Sequence, residues 1–324
     1  MDIPSVVLAP LAGGPSTPEL AAAVANAGGL GFVAAGYLAP DALEERLRRA
    51  RELTDGILGV NLFVLEDRPV DGAAVGAYAR RLAAEGHELG EPRFDDDSFA
   101  AKLEIVVASG VAVVSTTFGP PPLLLVTAAR AAGLQVWATV STPDDARIAA
   151  DAGADALVVQ GIEAGGHRAA FDDSDTSDLP LLELLRAVRQ AVDLPLVAAG
   201  GIVDRETAAA ARAAGAISVQ AGSAFLLCPE AGTSEPHRRA LAAGGSTAIT
   251  RAFTGRRARG IVNRFMREHP DAPSAYPHVH YLTSPLRAAA RAAGEPELIN
   301  LWAGTRFAHA EARPAAEVVA ALRP

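Results

Sequence analysis

The stretch Ala156-Leu157-Val158-Val159-Gln160-Gly161-Ile162-Glu163-Ala164-Gly165-Gly166-His167-Arg168 decides how the chain reads. It opens as an apolar run bounded by glycine, the pattern of a strand covered on both faces. It ends in a loop of small residues carrying one imidazole. Gly165 and Gly166 have no Cβ, so the backbone there can come close to a flat ligand and adopt positive φ. His167 follows at once and titrates near neutrality, as an acid or a base must. Taken alone, His167 reads equally as a solvated loop residue.

Working outward, the same unit recurs. Val6–Ala9, Leu30–Ala35, Leu58–Val64, Val111–Gly119, Gln135–Val140, Leu194–Ala199 and Ile217–Ala221 are further apolar runs, and Ala-rich helical patterns alternate with them. Thr17-Pro18 and Thr142-Pro143 are helix starts, with Thr as cap and Pro in the first turn. About eight strand-then-helix units predict a (β/α)8 barrel of the α/β class. A doubly wound sheet is the alternative, but no Gly-x-Gly-x-x-Gly follows the first strand. We expect the barrel over residues 1–227. The Arg-, Pro- and His-rich residues 228–302 show helical patches and no convincing strand pairs. They predict a small, mostly helical second domain over the barrel mouth. A closing helix within 303–324 is expected to pack back on the barrel. Gly86–Asp97 reads as a solvated surface loop.

Composition removes several chemistries. The net charge is −9 with dispersed positive charge, which argues against a nucleic-acid partner. Cys228 is the single cysteine, so an intrachain disulfide or a thiolate zinc cluster is not available. Lys102 is the single lysine and sits in a helical surface pattern, which argues against Schiff-base chemistry. Gly-Lys-Ser/Thr is absent, and with it a P-loop. Apolar runs fall short of the roughly 20 residues of a membrane span. The N-terminal Met1-Asp2-Ile3-Pro4 lacks a basic, then apolar, leader pattern. The expectation is a cytoplasmic protein without a membrane partner, monomer or homodimer.

In a barrel the chemistry gathers at the C-terminal ends of the strands. There the chain offers Pro10, Leu11, Ala12, Asn61, Thr139 and Gln160, all apolar or neutral. Acid and histidine clusters with metal spacing are missing, so no metal is expected. His278-x-His280 lacks an acidic partner nearby. Ser115 and Ser223 lack a triad context. Neutral hydrogen-bonding groups around an apolar slot suit a flavin. Gly200-Gly201 and Gly222-Ser223 follow the last two barrel strands, where backbone N–H groups commonly hold phosphate. Tight turns into helices are the plainer reading of each pair.

The chain resembles the nitronate monooxygenases, formerly called 2-nitropropane dioxygenases, along nearly its whole length. The resemblance is carried by Ala9–Ser16, Gly59–Phe63, Ser115–Gly119, Gln160–Arg168, Ala199–Ile202, Gly222–Leu226, Phe253–Arg256 and Leu301–Gly304. Glu163-Ala164-Gly165-Gly166-His167-Arg168 is the most specific of these. The resemblance implies an FMN-dependent barrel that oxidises alkyl nitronates with O2 to a carbonyl compound and nitrite. It implies His167 as the catalytic histidine, with Gly200, Gly201, Gly222 and Ser223 at the FMN phosphate. Pro10, Leu11, Asn61 and Gln160 would line the isoalloxazine, and Ala12, Thr139, Gly165 and Gly166 complete the expected cofactor site. A protonated His167 would hold an anionic substrate, whereas a neutral one would abstract the α-proton of a nitroalkane. Leu11 stands where the family often has Met, Ser223 where it often has Thr, and Thr305 where it often has Gln. The resemblance extends to NAD(P)H-using flavin barrels, the quinone reductases and an enoyl-thioester reductase. A flavin-binding barrel without activity is the third reading.

Overall fold

Alternation of side chains along short, apolar strands settles the architecture. In the computed structural model, which describes residues 2–323, the strands run β1 (Val6–Leu8), β2 (Gly31–Ala34), β3 (Leu58–Phe63), β4 (Val113–Thr117), β5 (Gln135–Val140), β6 (Ala156–Gln160), a two-residue β7 (Gly166–His167), β8 (Leu196–Ala199) and β9 (Ser218–Ala221). Met1 and Pro324, which begin the leader reading and end the closing segment, lie outside the described residues. All but β7 form one parallel sheet in the order β1-β9-β8-β6-β5-β4-β3-β2. Leu8 N donates to Leu30 O at 2.9 Å and Leu30 N to Val6 O at 3.0 Å, which joins the two ends and closes the barrel.

Val7, Phe32, Val113, Trp137, Val158 and Val197 form a cluster without helix residues, the filling of the barrel. Their neighbours Val6, Leu8, Val33, Val114, Leu157 and Leu196 join helix residues in the larger cluster outside. A period of two divides the strand between these two layers. Each strand is thus buried on both faces and reads as a continuous apolar run.

Eight helices follow in this part of the chain: α1 (Pro18–Asn26), α2 (Pro40–Leu53), α3 (Gly72–Ala84), α4 (Phe99–Ala108), α5 (Leu123–Ala131), α6 (Pro143–Asp151), α7 (Leu181–Ala191) and α8 (Arg205–Ala213). Seven flank the barrel, whereas α3 buries Val75, Tyr78 and Leu82 against Phe253, Phe265 and Leu282 of the cover. The expected caps form: Thr17 and Thr142 accept from Leu20 N and Asp145 N, each at 3.0 Å.

Three expectations are corrected. First, α4 buries Lys102 completely; its ammonium lies 2.7 Å from Asp97 Oδ2 and 3.0 Å from Ala35 O. A surface pattern was the wrong reading because a buried lysine is tolerated once paired. Second, Gly86–Asp97 is not wholly a solvated loop, since Asp97 is buried and Gly90 N donates to Leu282 O at 2.9 Å. Third, residues 228–302 contain strands. After α9 (Glu235–Ala243), β10 (Thr247–Thr250) and β11 (Ala258–Ile261) pair antiparallel, and β7 adds to β11 with His167 opposite Ala258. The strands are only four residues long, β10 half-buried throughout and β11 buried at Ala258, Gly260 and Ile261, so they carry too little alternation to be read. Then α10 (Arg264–Glu268) and α11 (His278–Ala292) follow, with α12 (Ala315–Leu322) contacting α1 and α8. Among the described residues, no helix is long and apolar enough to cross a membrane.

Candidate active site

The loops after the barrel strands and the cover from α9 to α11 enclose a cavity of about 390 Å³. Every site residue singled out from the sequence lines it. Pro10, Leu11 and Ala12 follow β1 in a turn tied by Leu11 N to Ser16 Oγ (2.8 Å) and Ser16 N to Leu11 O (3.1 Å). Asn61 on β3 donates Nδ2 to Ser115 Oγ and Thr117 Oγ1, both at 2.9 Å. Thr139 lies beyond, 3.5 Å from the Thr117 hydroxyl.

Gln160 lines the cavity but spends its amide on the turn that holds His167. Its Nε2 donates to His167 O at 3.0 Å, and its Oε1 accepts from Arg168 Nη1 and Ala169 N, both at 2.9 Å. Arg168, buried and paired to Asp178 at 3.0 Å, also donates to Gly161 O at 2.8 Å. Arg256 donates to the carbonyls of Arg168 and Ala170 from the far side. The loop is thereby fixed from both ends, and β11 adds a ladder across it.

His167 stands among three rings: Phe118, Tyr276 and Trp302 at 5.7, 5.6 and 5.5 Å. Its Nε2 lies 2.9 Å from Thr254 Oγ1. Thr254 has the Arg256 carbonyl 3.4 Å away as its own acceptor. Assigned from that network, the imidazole proton sits on Nε2, and Nδ1 keeps its lone pair. Burial pushes the His167 pKa down to about 3, helped by the charges of Arg256 and Arg287. His167 is therefore neutral at ordinary pH.

The turns at Gly200-Gly201 and Gly222-Ser223 form a small-residue cradle. Gly200 and Gly201 have φ of 114° and 66°. Among the described residues, the N–H groups of Gly201, Gly222 and Ser223 have no protein acceptor. Ser223 Oγ accepts Gly304 N at 2.9 Å and retains its own proton to donate. Gly165 lets this segment pass: a Cβ there would stand 2.4 Å from Ala303 C.

Several lining residues went unread in the sequence. Gln220 on β9 is buried, and its Oε1 has no partner. His237 Nε2, at the start of α9, is likewise buried and unpaired. Both line the cavity, so the unpaired groups belong to a place where a ligand can satisfy them. A polar residue inside an apolar strand was the available signal for Gln220, as it was for Gln160. Tyr37, Thr254, His280, Arg287 and Trp302 come from connections and the cover, where no period marks them. Arg287 is buried and donates to His280 O, Ser284 Oγ and Thr283 Oγ1, without a carboxylate partner among the described residues. The cavity therefore holds uncompensated positive charge although the chain is acidic. Among the described residues there is no group of three metal-ligating side chains, and His280 stacks on Tyr37 instead.

The orphaned amide oxygen, the glycine cradle and the neutral donor set fit a flavin cofactor. The whole chain, residues 1–324, matches the family model of nitronate monooxygenase. It is 39% identical to the nitronate monooxygenase of Pseudomonas aeruginosa, across 98% of this chain and 94% of that protein. It is 36% identical to a probable nitronate monooxygenase of Bacillus subtilis, across 92% and 89%. Among solved structures, a nitroalkane oxidase from Streptomyces ansochromogenes has a TM-score of 0.94 at 47% identity, covering 98% of this chain and 94% of that one. FabK from Thermotoga maritima has a TM-score of 0.78 at 24% identity over 98% and 91%, a likeness of fold alone. With relatives matched from end to end and the same barrel in the solved structure, this chain belongs to the nitronate monooxygenase family.

Proposed function

We propose that this chain binds FMN at the strand ends and oxidises alkyl nitronates with O2 to a carbonyl compound and nitrite, accepting nitroalkanes where His167 can deprotonate them. FMN, when bound, would supply the redox chemistry. Gly200, Gly201, Gly222 and Ser223 would hold its phosphate with unpaired N–H groups and the Ser223 hydroxyl. Pro10, Leu11, Ala12, Asn61, Thr139, Gln160, Gly165 and Gly166 would border the ring, and the free Oε1 of Gln220 would accept a hydrogen bond from the cofactor. Residues 228–302 act as the cover that shapes the space left for substrate.

The single observation that carries the reading is His167, hydrogen-bonded through Nε2 to Thr254, in a cavity that Arg287 enters without a carboxylate partner among the described residues. Nδ1 has the free lone pair to take the α-proton of a nitroalkane, but the lowered pKa makes it a weak base, so the nitronate anion, favoured by the arginine charge, is the preferred substrate. A protonated His167 is not needed to hold a nitronate. The covering aromatic rings exclude water, which strengthens that attraction.

The test is a purified protein whose released cofactor is identified by mass, then mixed with ethyl nitronate in air and with NADPH without oxygen. Nitrite formation with oxygen uptake supports the proposal. Rapid anaerobic bleaching by NADPH without nitronate turnover would replace it with the reductase reading. Unchanged turnover in His167→Ala would remove the histidine from the chemistry.

A further inference from the structure

The one lysine of the chain serves a turn beside the active site. Lys102 is fully buried, with its ammonium 2.7 Å from Asp97 Oδ2 and 3.0 Å from Ala35 O. Asp97 Oδ1 accepts the backbone N–H of Tyr37 at 2.9 Å. The ion pair therefore grips the turn after β2 twice, through the carbonyl of residue 35 and the amide of residue 37.

The backbone at both ends is unusual. Tyr37, Asp97 and Ser98 have φ of 66°, 59° and 54°. Among the described residues the other positive-φ residue besides glycine is Phe118, which lines the same cavity. A bulky side chain seldom adopts this conformation, and it persists where surrounding contacts over-determine it. A buried ion pair is a poor device for stability, because desolvation offsets the attraction and an apolar pair of similar volume often does as well. What it provides is direction.

The directed group is Tyr37. Its ring lies flat on His280 (4.1 Å, 6°) and edge-on to Phe63 (5.3 Å). Its hydroxyl is 3.1 Å from that of Tyr276, and the side chain lines the cavity. Two hydroxyls sharing one hydrogen bond leave one O–H over. With Tyr276 donating to Tyr37, the remaining proton is on Tyr37 and polarised by the first bond. Burial pushes the Tyr37 pKa up to about 12, so the proton stays.

We propose that Lys102 and Asp97 are positioning residues that hold Tyr37 so that its hydroxyl donates to an oxygen of the bound nitronate. The inference rests on the function proposed above and adds to it the group that recognises the anion.

The experiment compares Tyr37→Phe, Lys102→Met/Asp97→Gly and the triple variant. Gly accepts positive φ, so the double variant removes both charges without a backbone clash. The KM for ethyl nitronate should rise about ten-fold in each, with little change in kcat, and no further in the triple variant. Additive effects would overturn the proposal. Lys102→Met/Asp97→Asn restores a neutral acceptor for Tyr37 N–H and should bring KM back towards wild type; failure to do so assigns the pair to the fold alone. A second readout needs no activity. The chain has four tyrosines, so 3-fluorotyrosine labelling gives four fluorine resonances, and Tyr37→Phe assigns one. That resonance should move in the glycine double variant and return with asparagine. An unmoved resonance refutes the positioning, whereas a moved resonance in a protein without nitronate turnover refutes only the proposed function.

Discussion

Two adjacent glycines beside His167 should respond differently to the same methyl group. A Cβ on Gly165 would lie 2.4 Å from Ala303 C and 2.5 Å from Gly304 N, both backbone atoms. Nonbonded carbons prefer about 3.5 Å or more, so Gly165→Ala must displace the 303–304 segment by about 1 Å. Overpacking of this kind costs about 1–3 kcal/mol. At about 2.1 cal/mol/K per residue, a chain of 324 residues unfolds with roughly 680 cal/mol/K, so Tm should fall by about 1.5–4.5 °C. The same movement carries Gly304 N away from Ser223 Oγ, now 2.9 Å distant, beyond hydrogen-bonding reach. FMN affinity should therefore fall about ten-fold, the worth of one good hydrogen bond to a charged group. Gly166 has φ of 75° and open space where its Cβ would be. Gly166→Ala should cost about 1 kcal/mol of backbone conformation, or about 1.5 °C, and leave the Gly304 N–Ser223 Oγ bond in place. Thermal melting and fluorescence titration of the apoprotein with FMN check both. If the two variants behave alike in both measurements, the packing argument is wrong.

Thr254→Val removes the partner of His167 Nε2. It should lower kcat with nitroethane about ten-fold and affect ethyl nitronate less, because only the nitroalkane needs its proton removed; Thr254→Ser should retain activity. For pH, the His167 pKa is lowered from 6.5 to about 3 in the fold. Below about 6.5 the unfolded chain binds a proton that the folded chain refuses, so stability should decline from there towards pH 3, seen as a falling urea midpoint. The pH profile of kcat/KM should likewise show no inflection from His167 near 6.5. Gln220→Leu removes a buried acceptor without a donor. The apoprotein should gain about 1–3 kcal/mol in denaturant unfolding, while FMN affinity falls.

The barrel was legible because strands buried on both faces leave unbroken apolar runs, and helix starts such as Thr17-Pro18 announce themselves locally. The candidate site was legible where it follows those strands: Asn61, Thr139, Gln160, Gly200-Gly201 and Gly222-Ser223 are each a fixed step from a strand end. Lys102 was misread because its partner Asp97 lies before the helix, and pairing is invisible to a hydropathy pattern. The β10–β11 hairpin was missed because strands of four residues, one half-buried throughout and the other mostly buried, show no alternation.

The sequence by itself determined the repeating unit and the succession of strands, since these depend on local periodicity and on small residues in the turns. Tertiary structure alone decided that His167 is neutral and that it bonds Thr254, a residue 87 positions later. It also decided that Arg287, without a carboxylate partner among the described residues, brings positive charge into the cavity of an acidic chain. Those properties are sums over groups brought close only by folding: desolvation and Coulomb attraction depend on distance in space, and sequence spacing does not encode it.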